Sequence, residues 1–303
     1  RPNRIDVSYA EGPFKYLNNQ WIKASEARTS LYDQTLHYGS GVFEGIRSYK
    51  TDDGVKVFKA EEHYERLLFS AQAMHMKLDY TVSELVALTY QLLEKNNLDD
   101  AYIRPLVYLA PNMRLCPTTE SNLFLCAWKW DKYLGNKLLR VMTSSYQRPN
   151  PKSVPVAAKV TGHYTNSILA TTEANAKGFD EALLLDGNGH VAEGSGANFF
   201  YEKNGELFTS PTGNILPGIT RQTVLELAKE LQVEVHETYF GPEEVHAADG
   251  AFFTGTAAEV AGIESLDNHS FKLPWEETIG FQLSRMYKRR VSMNEYTLFD
   301  LVG

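Results

Sequence analysis

The sequence has 303 residues and a net charge of −8, from 30 lysines and arginines against 38 aspartates and glutamates. This length is enough for two domains or one large one, and the acidic balance argues against a nucleic-acid-binding protein. No apolar run is long enough to span a membrane. Cys116 and Cys126 are the only cysteines, which favours a reducing, cytoplasmic compartment. We expect no signal peptide, and we expect the natural N-terminus to lie upstream of Arg1.

The first half of the chain alternates strand and helix patterns. A helix with apolar residues at helical spacing is predicted at 61–76, and a second helix begins at a capping box formed by Thr81 and Glu84. Three glycines in segment 36–49 allow a ligand or a neighbouring chain to approach the backbone closely, although a bulged strand explains them too. The predicted strands lie at 16–22, which is a hairpin, 100–109 and 123–128.

Tyr102 and Arg104 share one face of the strand predicted at 100–109, because side chains in a strand repeat every two residues. A hydroxyl and a guanidinium side by side can bind a carboxylate. An exposed strand face explains the pair equally well, so both interpretations stay open at this point.

Lys159 is the strongest candidate for a reactive side chain. It follows a run of small apolar residues within segment 154–164. Desolvation against apolar surface disfavours the ammonium form, and the neutral amine is the form that attacks a carbonyl carbon. A lysine on an edge strand whose ammonium reaches water explains the same segment, so the motifs around Lys159 must decide between the two.

The second half predicts a strand at 138–143, a helix at 165–177 and a buried strand at 182–186. Glu193 ends a strand before two glycines, which are too few for a dinucleotide fingerprint. Near the C-terminus we expect a short strand and a helix, at 271–273 and at about 274–289. Ile168, Leu169 and Thr172 are predicted to share one face of the helix at 165–177.

Two turns have the composition of an anion-binding site. A Pro-Gly turn leads into a helix that begins near Ile219 and Thr220, where free amides and the helix dipole favour an anion. A second turn at 255–257 carries Thr256. Most helix N-termini bind no ligand, but two such turns favour a site for a phosphate and a carboxylate. No Walker loop, HExxH motif or GxSxG elbow occurs, and the scattered histidines predict no metal site.

Five segments, taken in order, resemble the fold-type IV pyridoxal-phosphate enzymes, and most closely the branched-chain amino acid aminotransferases. They lie at 37–47, 102–105, 193–200, 216–221 and 255–259. The resemblance implies an α+β or α/β architecture of two domains, like that of the D-amino acid aminotransferases. It implies a smaller N-terminal domain, a connection and a larger cofactor-binding domain, which we expect at 1–129, 130–137 and 138–303.

The resemblance also implies the reaction and the cofactor residues. Amino groups would move reversibly between L-leucine, L-isoleucine or L-valine and 2-oxoglutarate in a ping-pong mechanism. Lys159 would bind pyridoxal 5'-phosphate covalently and then move the α-proton of the substrate. Glu193 would bind the pyridine nitrogen and Tyr164 the phenolic oxygen. The phosphate group would be bound by Arg66, which matches a His-x-x-Arg-Leu motif, by the amides of Ile219 and Thr220, and by Thr256.

On the substrate side, Tyr102 and the amide of Ala257 would hold the α-carboxylate. Arg104 would pair with the distal carboxylate of glutamate, which an apolar pocket alone would reject. A pocket residue near Tyr38 and a loop at 109–117 come from the second subunit in this family, so a homodimer or larger homo-oligomer is implied. The apolar pocket would be walled by Phe43, Tyr38 and Tyr133.

Three other interpretations stay open: a D-amino acid aminotransferase, an aminodeoxychorismate lyase and a scaffold protein without catalysis. Segment 43–47 and the Tyr102-x-Arg104 pair resemble the L-specific branch. The chain departs from many relatives at His163, where they carry asparagine, and at Ala197, where they carry glutamate. Its loop at 110–117 lacks the expected glycines.

Overall fold

A computed structural model describes residues 12–116, 120–130 and 137–292. The chain forms two compact units. The first comprises Arg1–Asp131, Ala158–Gly162 and Val291–Gly303, and the second comprises Lys132–Ala157 and His163–Arg290. The connection expected at 130–137 lies almost wholly outside the described residues.

The first unit is built on an antiparallel sheet with strand order β2-β1-β7-β6-β4-β5, in which β3 also pairs with β6. The predicted hairpin is confirmed, because Asn18 and Asn19 form the turn between β1 and β2 with φ of 45° and 65°. The strands are β1 (Phe14–Leu17), β2 (Gln20–Lys23), β3 (Val42–Phe43), β4 (Ile46–Thr51), β5 (Gly54–Val57), β6 (Ala101–Leu109) and β7 (Ser121–Lys129).

Three helices, α1 (Gln34–Tyr38), α2 (Ala60–Ala73) and α3 (Val82–Lys95), belong to this unit. The capping box predicted at Thr81 and Glu84 starts α3. The fully buried Leu67 of α2 and Leu92 of α3 belong to the same core cluster as Ile103 of β6. The apolar stripes read from the sequence therefore fix both helices on the sheet.

The second unit contains a sheet that closes on itself. Strand order β10-β9-β8-β15-β14-β11 is completed by a pairing of β11 with β10, and β12, β13 and β16 extend the ring. Because β10 pairs with both β9 and β11, it is not an exposed edge strand, as it would be in an open sheet. The strands are β8 (Leu139–Gln147), β9 (Glu181–Leu185), β10 (Val191–Gly194), β11 (Asn198–Lys203), β12 (Glu206–Thr209), β13 (Val235–Glu237), β14 (Gly250–Gly255), β15 (Glu259–Leu266) and β16 (His269–Ser270).

The two faces of this ring bury different residues. One face forms a core cluster that includes Leu183, Val191, Phe199 and Phe253. The opposite face of β9 packs through Leu184 with residues of a helix. The helices of the unit are α4 (Tyr164–Ala176), α5 (Ile219–Glu230), α6 (Pro242–His246) and α7 (Ile279–Ser292).

The face of α4 that carries Ile168 and Leu169 is not the buried face. Ile168 and Leu169 are 65% and 43% exposed, whereas the small residues Ala170 and Ala174 are buried beside Leu184. Small side chains allow the helix backbone to approach the strands closely, and apolarity alone did not reveal this. The C-terminal prediction also changes, because the strand lies at β16 rather than 271–273.

No helix in the described part of the chain is long and apolar enough to cross a membrane.

Candidate active site

Lys159 is fixed by backbone contacts to two elements of the first unit. Its N–H donates to Oγ of Ser70 on α2 at 2.9 Å, and its carbonyl accepts from the N–H of Phe43 at 3.1 Å. The neighbouring Val160 forms a bridge with Val42, so the segment lies along β3. The ammonium nitrogen is 5.0 Å from the centre of the Phe43 ring, within range of a cation–π contact. Two of the predicted site residues are therefore neighbours.

Arg66 is held by a buried carboxylate. Its Nε and one terminal nitrogen lie 2.6 and 2.9 Å from the two oxygens of Glu44, a bidentate pair. The Arg66 side chain is 13% exposed and that of Glu44 is wholly buried. Arg66 is therefore not an exposed surface arginine.

His63 completes this group, with Nδ1 2.7 Å from Glu44 Oε2. Burial alone would raise the pKa of the Glu44 carboxyl, but the Arg66 guanidinium and His63 hold it well below its ordinary value. Burial lowers the pKa of His63, and the charges of Arg66 and Lys159 lower it further, against the opposing effect of Glu44. An ionised carboxylate only accepts hydrogen bonds, so the proton of a neutral His63 is on Nδ1.

Glu44 is not among the site residues predicted from the sequence. A signal was present, since a lone acid within the apolar segment 42–46 requires a buried partner. His63 and Arg66 are three residues apart on a helix, a spacing that places both on one face.

A second group of predicted residues forms a polar and aromatic wall. A terminal nitrogen of Arg104 donates to the Tyr102 hydroxyl at 2.9 Å, and the guanidinium carbon is 4.7 Å from the centre of the Phe43 ring. The two side chains therefore meet on one face of β6, as the strand period predicts. Tyr102 is stacked on Trp130 with ring centres 4.7 Å apart. Gly45 is required here, because a Cβ would lie 2.0 Å from the Tyr102 oxygen.

The remaining predicted pocket residues are less informative. Tyr38 ends α1, is 47% exposed, and donates to the carbonyl of Met113 at 3.3 Å. Tyr133 lies outside the described residues.

Glu193, in the second unit, is placed by an irregularity in β10. Val191 pairs with Leu185 and Glu193 pairs with Leu184, so the register shifts by one between them. This bulge turns Glu193 away from the apolar core that contains Val191. Glu193 nevertheless stays buried, at 5% exposure.

Three groups surround the Glu193 carboxylate. Asn198 Nδ2 donates to Oε2 at 2.9 Å, and the N–H of Leu216 donates to both oxygens at 3.2 and 3.3 Å. Arg148 Nε lies 2.9 Å from Oε1, but its N–H is not aligned with that oxygen, so the contact is an ion pair rather than a directed hydrogen bond. A buried carboxylate with these partners can remain ionised.

The N-terminus of α5 begins next to this group. Gly218 is the N-cap, and no side chain caps the helix. The amides of Ile219 and Thr220 lie in the first turn, where a helix of this length favours an anion. Thr220 is buried and Ile219 is partly exposed.

The turn at 255–257 follows β14. Thr256 and Ala257 are partly exposed. The preceding Thr254 is 1% exposed, and its hydroxyl has no hydrogen-bond partner in the described part of the protein. Tyr164 is the first residue of α4 and is partly exposed.

A group of metal-ligand type lies on the pair of strands β12 and β13. Glu206, Glu234 and His236 bring one donor atom each within 4.8 Å of the others. The sequence analysis did not foresee this group, because its residues are brought together only by strand pairing. Since the His236–Glu206 ion pair at 2.9 Å accounts for the contact, the group carries no functional argument.

Comparison with known proteins places these residues in a family. Residues 41–266 match the family described as Amino-transferase class IV. The Branched-chain-amino-acid aminotransferase of Escherichia coli strain K12 is 38% identical over 260 residues, which cover 83% of this chain and 84% of that protein.

Two solved structures extend the likeness to the fold. Branched-chain aminotransferase from Thermoproteus uzoniensis, determined with norvaline, has a TM-score of 0.88 and 37% identity, covering 92% of this chain and 94% of that one. The PLP-form of the Thermobaculum terrenum enzyme has a TM-score of 0.88 and 34% identity, covering 93% and 95%. The fold-type IV architecture is therefore confirmed, and the chain belongs to the class IV aminotransferases, in the group of the branched-chain aminotransferases.

Proposed function

We propose that this protein is a pyridoxal-phosphate-dependent aminotransferase that moves amino groups between L-leucine, L-isoleucine or L-valine and 2-oxoglutarate. The observation that carries the proposal is the setting of Lys159, whose backbone is fixed on both sides and whose amine faces the ring of Phe43. The names of the relatives support the substrate class, and the PLP-form of the Thermobaculum terrenum enzyme supports the cofactor.

The residues present fit the proposed cofactor. Glu193 is a buried carboxylate suited to a protonated pyridine nitrogen, and α5 begins without a side-chain cap where a phosphate would need amides. Arg66 is oriented by Glu44, and the buried Thr254 hydroxyl has no hydrogen-bond partner among residues 12–116, 120–130 and 137–292. The other proposed ligands are the amides of Ile219 and Thr220, and the side chains of Thr256 and Tyr164.

The cofactor supplies an aldehyde and a ring that accepts electrons. Lys159 would hold this group through its amine, and the same amine would carry the proton from the substrate α-carbon. Lys159 is partly exposed and lies between the buried Ala158 and Val160. Glu193 would keep the pyridine nitrogen protonated, and Tyr164 would donate to the phenolic oxygen.

Two kinds of substrate must share one pocket in this reaction. Phe43, with Tyr38 and Tyr133, would contact the branched side chain, and Tyr102 with the amide of Ala257 would hold the α-carboxylate. Arg104 would bind the distal carboxylate of glutamate, because its guanidinium lies beside both Tyr102 and Phe43.

We also propose a homodimer or larger homo-oligomer in a reducing, cytoplasmic compartment. The first unit exposes several large apolar side chains, a feature typical of interaction surfaces. Both cysteines are free thiols. Light scattering on the purified protein should give at least twice the 34.2 kDa chain mass. A mass equal to that of one chain would contradict the proposed assembly. The exposed apolar residues of this unit include Leu31, Tyr32, Leu36, Tyr38, Met113 and Leu115.

The reaction is tested by incubating the purified protein and pyridoxal phosphate with 2-oxoglutarate and one amino acid at a time. Glutamate should form with L-leucine, L-isoleucine and L-valine and not with D-alanine. Glutamate from D-alanine alone would identify a D-amino acid aminotransferase instead. Release of pyruvate from aminodeoxychorismate without any amino acceptor would identify the lyase.

A further inference from the structure

The amide orientation of Asn198 is fixed by its neighbours. Its Nδ2 lies 2.9 Å from Oε2 of Glu193 and 2.9 Å from the carbonyl oxygen of Leu216. Both neighbours are oxygens that only accept, so the nitrogen must face them and the amide cannot be turned over. Asn198 is 5% exposed, and no solvent is needed to satisfy these bonds.

The other side of the same amide touches the start of α5. A Cβ built on Gly218 would lie 2.0 Å from Asn198 Oδ1, so the oxygen is packed against the N-cap backbone. Gly218 has φ of −73° and ψ of 136°, which any residue can adopt. The position therefore requires glycine because of Asn198 and not because of its backbone conformation.

We propose that Asn198 is a positioning residue that holds the Glu193 carboxylate and the N-terminal turn of α5 at a fixed separation. This inference rests on the proposed function, in which the carboxylate meets the pyridine nitrogen and the helix turn meets the phosphate. A ligand that carries both a ring nitrogen and a phosphate gains affinity from this fixed separation, because neither the carboxylate nor the helix turn has to be reorganised on binding. A ligand that carries only one of these two groups gains much less affinity.

Arg148 and the N–H of Leu216 also contact Glu193, but their other contacts differ from those of Asn198. Arg148 pairs with Glu193 and donates to Asn166 Oδ1 at 3.2 Å, which ties the carboxylate to α4 instead. The N–H of Leu216 reaches Glu193, but the carbonyl of Leu216 is itself held by Asn198. Removing the Asn198 amide therefore loosens the carboxylate and the loop together.

The test measures dissociation constants by visible absorbance for three ligands added to cofactor-free protein. Pyridoxal phosphate has both groups, pyridoxal lacks the phosphate, and the 1-deaza analogue of pyridoxal phosphate lacks the ring nitrogen. We expect Asn198→Ala to weaken the binding of pyridoxal phosphate by about tenfold or more, as for the loss of a hydrogen bond to a charged group. The loss of affinity for either truncated ligand should be clearly smaller.

Asn96→Ala is the matched control. Asn96 is also a buried amide whose nitrogen donates to two carbonyls, those of Phe14 and Leu92, but it belongs to the first unit. Asn96→Ala should lower the melting temperature by a similar amount. It should not raise the dissociation constant of any one of the three ligands more than those of the others. An equal loss, or no loss, for all three ligands with Asn198→Ala would overturn the positioning role. If the wild-type protein itself bound no pyridoxal phosphate, the proposed function would fail and not this inference alone.

Discussion

Asn198 and Glu193 face each other at the one register pair that joins β11 to β10, and the Asn198 amide donates to Glu193 at 2.9 Å. The contact that closes the ring of strands is thus the contact that holds the Glu193 carboxylate, which is proposed to bind the cofactor. Fold stability and cofactor binding are therefore expected to change together when this pair is altered.

Gly218→Ala tests this relationship from the opposite side. The added methyl group would collide with Asn198 Oδ1, so we expect a loss of about 1–3 kcal/mol in stability, typical of overpacking. In an Asn198→Ala background the colliding oxygen is gone, and the same substitution should cost much less. Urea unfolding of the four proteins gives the coupling energy. Additive losses would show that the two residues act independently.

Glu44→Gln should strongly destabilise the first unit. It leaves the Arg66 guanidinium inside the protein without its counter-charge, a change that typically costs about 3–5 kcal/mol. Urea unfolding at pH 7 measures the loss. Glu202→Gln is the matched control, because Glu202 is also buried but its pKa is raised by burial and by Asp249, so removing its charge should cost less. Equal losses would contradict the account of Glu44.

The pH dependence of stability follows from the same carboxylate. The pKa of Glu44 is well below its ordinary value of 4.5 in the folded protein, so its contribution is complete above pH 4.5 and declines as the pH falls further. The difference in unfolding free energy between wild type and Glu44→Gln should therefore shrink below pH 4.5. A constant difference down to pH 3 would show that the carboxylate contributes by packing rather than by charge.

Arg104→Met should separate the two substrates of the proposed reaction. Loss of the guanidinium removes the proposed partner of the distal carboxylate, so the KM for 2-oxoglutarate should rise about tenfold or more. The KM for the branched 2-oxo acid derived from leucine should change less than about threefold, since its side chain needs no charge. Equal increases would show that Arg104 mainly supports Tyr102, to which it donates a hydrogen bond.

Thr254→Val should leave the cofactor-free protein as stable as the wild type or more stable, by up to about 2 kcal/mol. The buried Thr254 hydroxyl has no partner among the described residues, and an unsatisfied buried hydroxyl costs free energy that an isosteric methyl group does not. Thermal and urea unfolding check the prediction. Destabilisation by more than about 1 kcal/mol would mean that this hydroxyl has a partner such as an internal water.

The sequence alone was sufficient for several features of local structure. The Asn-Asn hairpin turn and the capping box at Thr81 depend on chemistry within a few residues of the chain, and both were predicted. The two-residue repeat of a strand likewise predicted that Tyr102 and Arg104 lie on one face, where they form a hydrogen bond.

Residues that support the site through distant contacts escaped sequence reasoning. Glu44 and Arg66 are 22 positions apart, and Arg148 meets Glu193 across a larger interval. The bulge in β10 reverses the face of Glu193, and no periodicity reveals a bulge in advance. The buried face of α4 was missed because small residues, rather than large apolar ones, pack against the strands.

The central claim is that Lys159 is the residue that binds the cofactor. Pyridoxal phosphate is added to the purified protein, the complex is reduced with sodium borohydride, and the modified peptide is identified by mass spectrometry. The pyridoxyl group should be found on Lys159, and Lys159→Ala should yield no stoichiometrically labelled peptide. Stoichiometric labelling of a different lysine, or unchanged labelling in Lys159→Ala, would contradict the account.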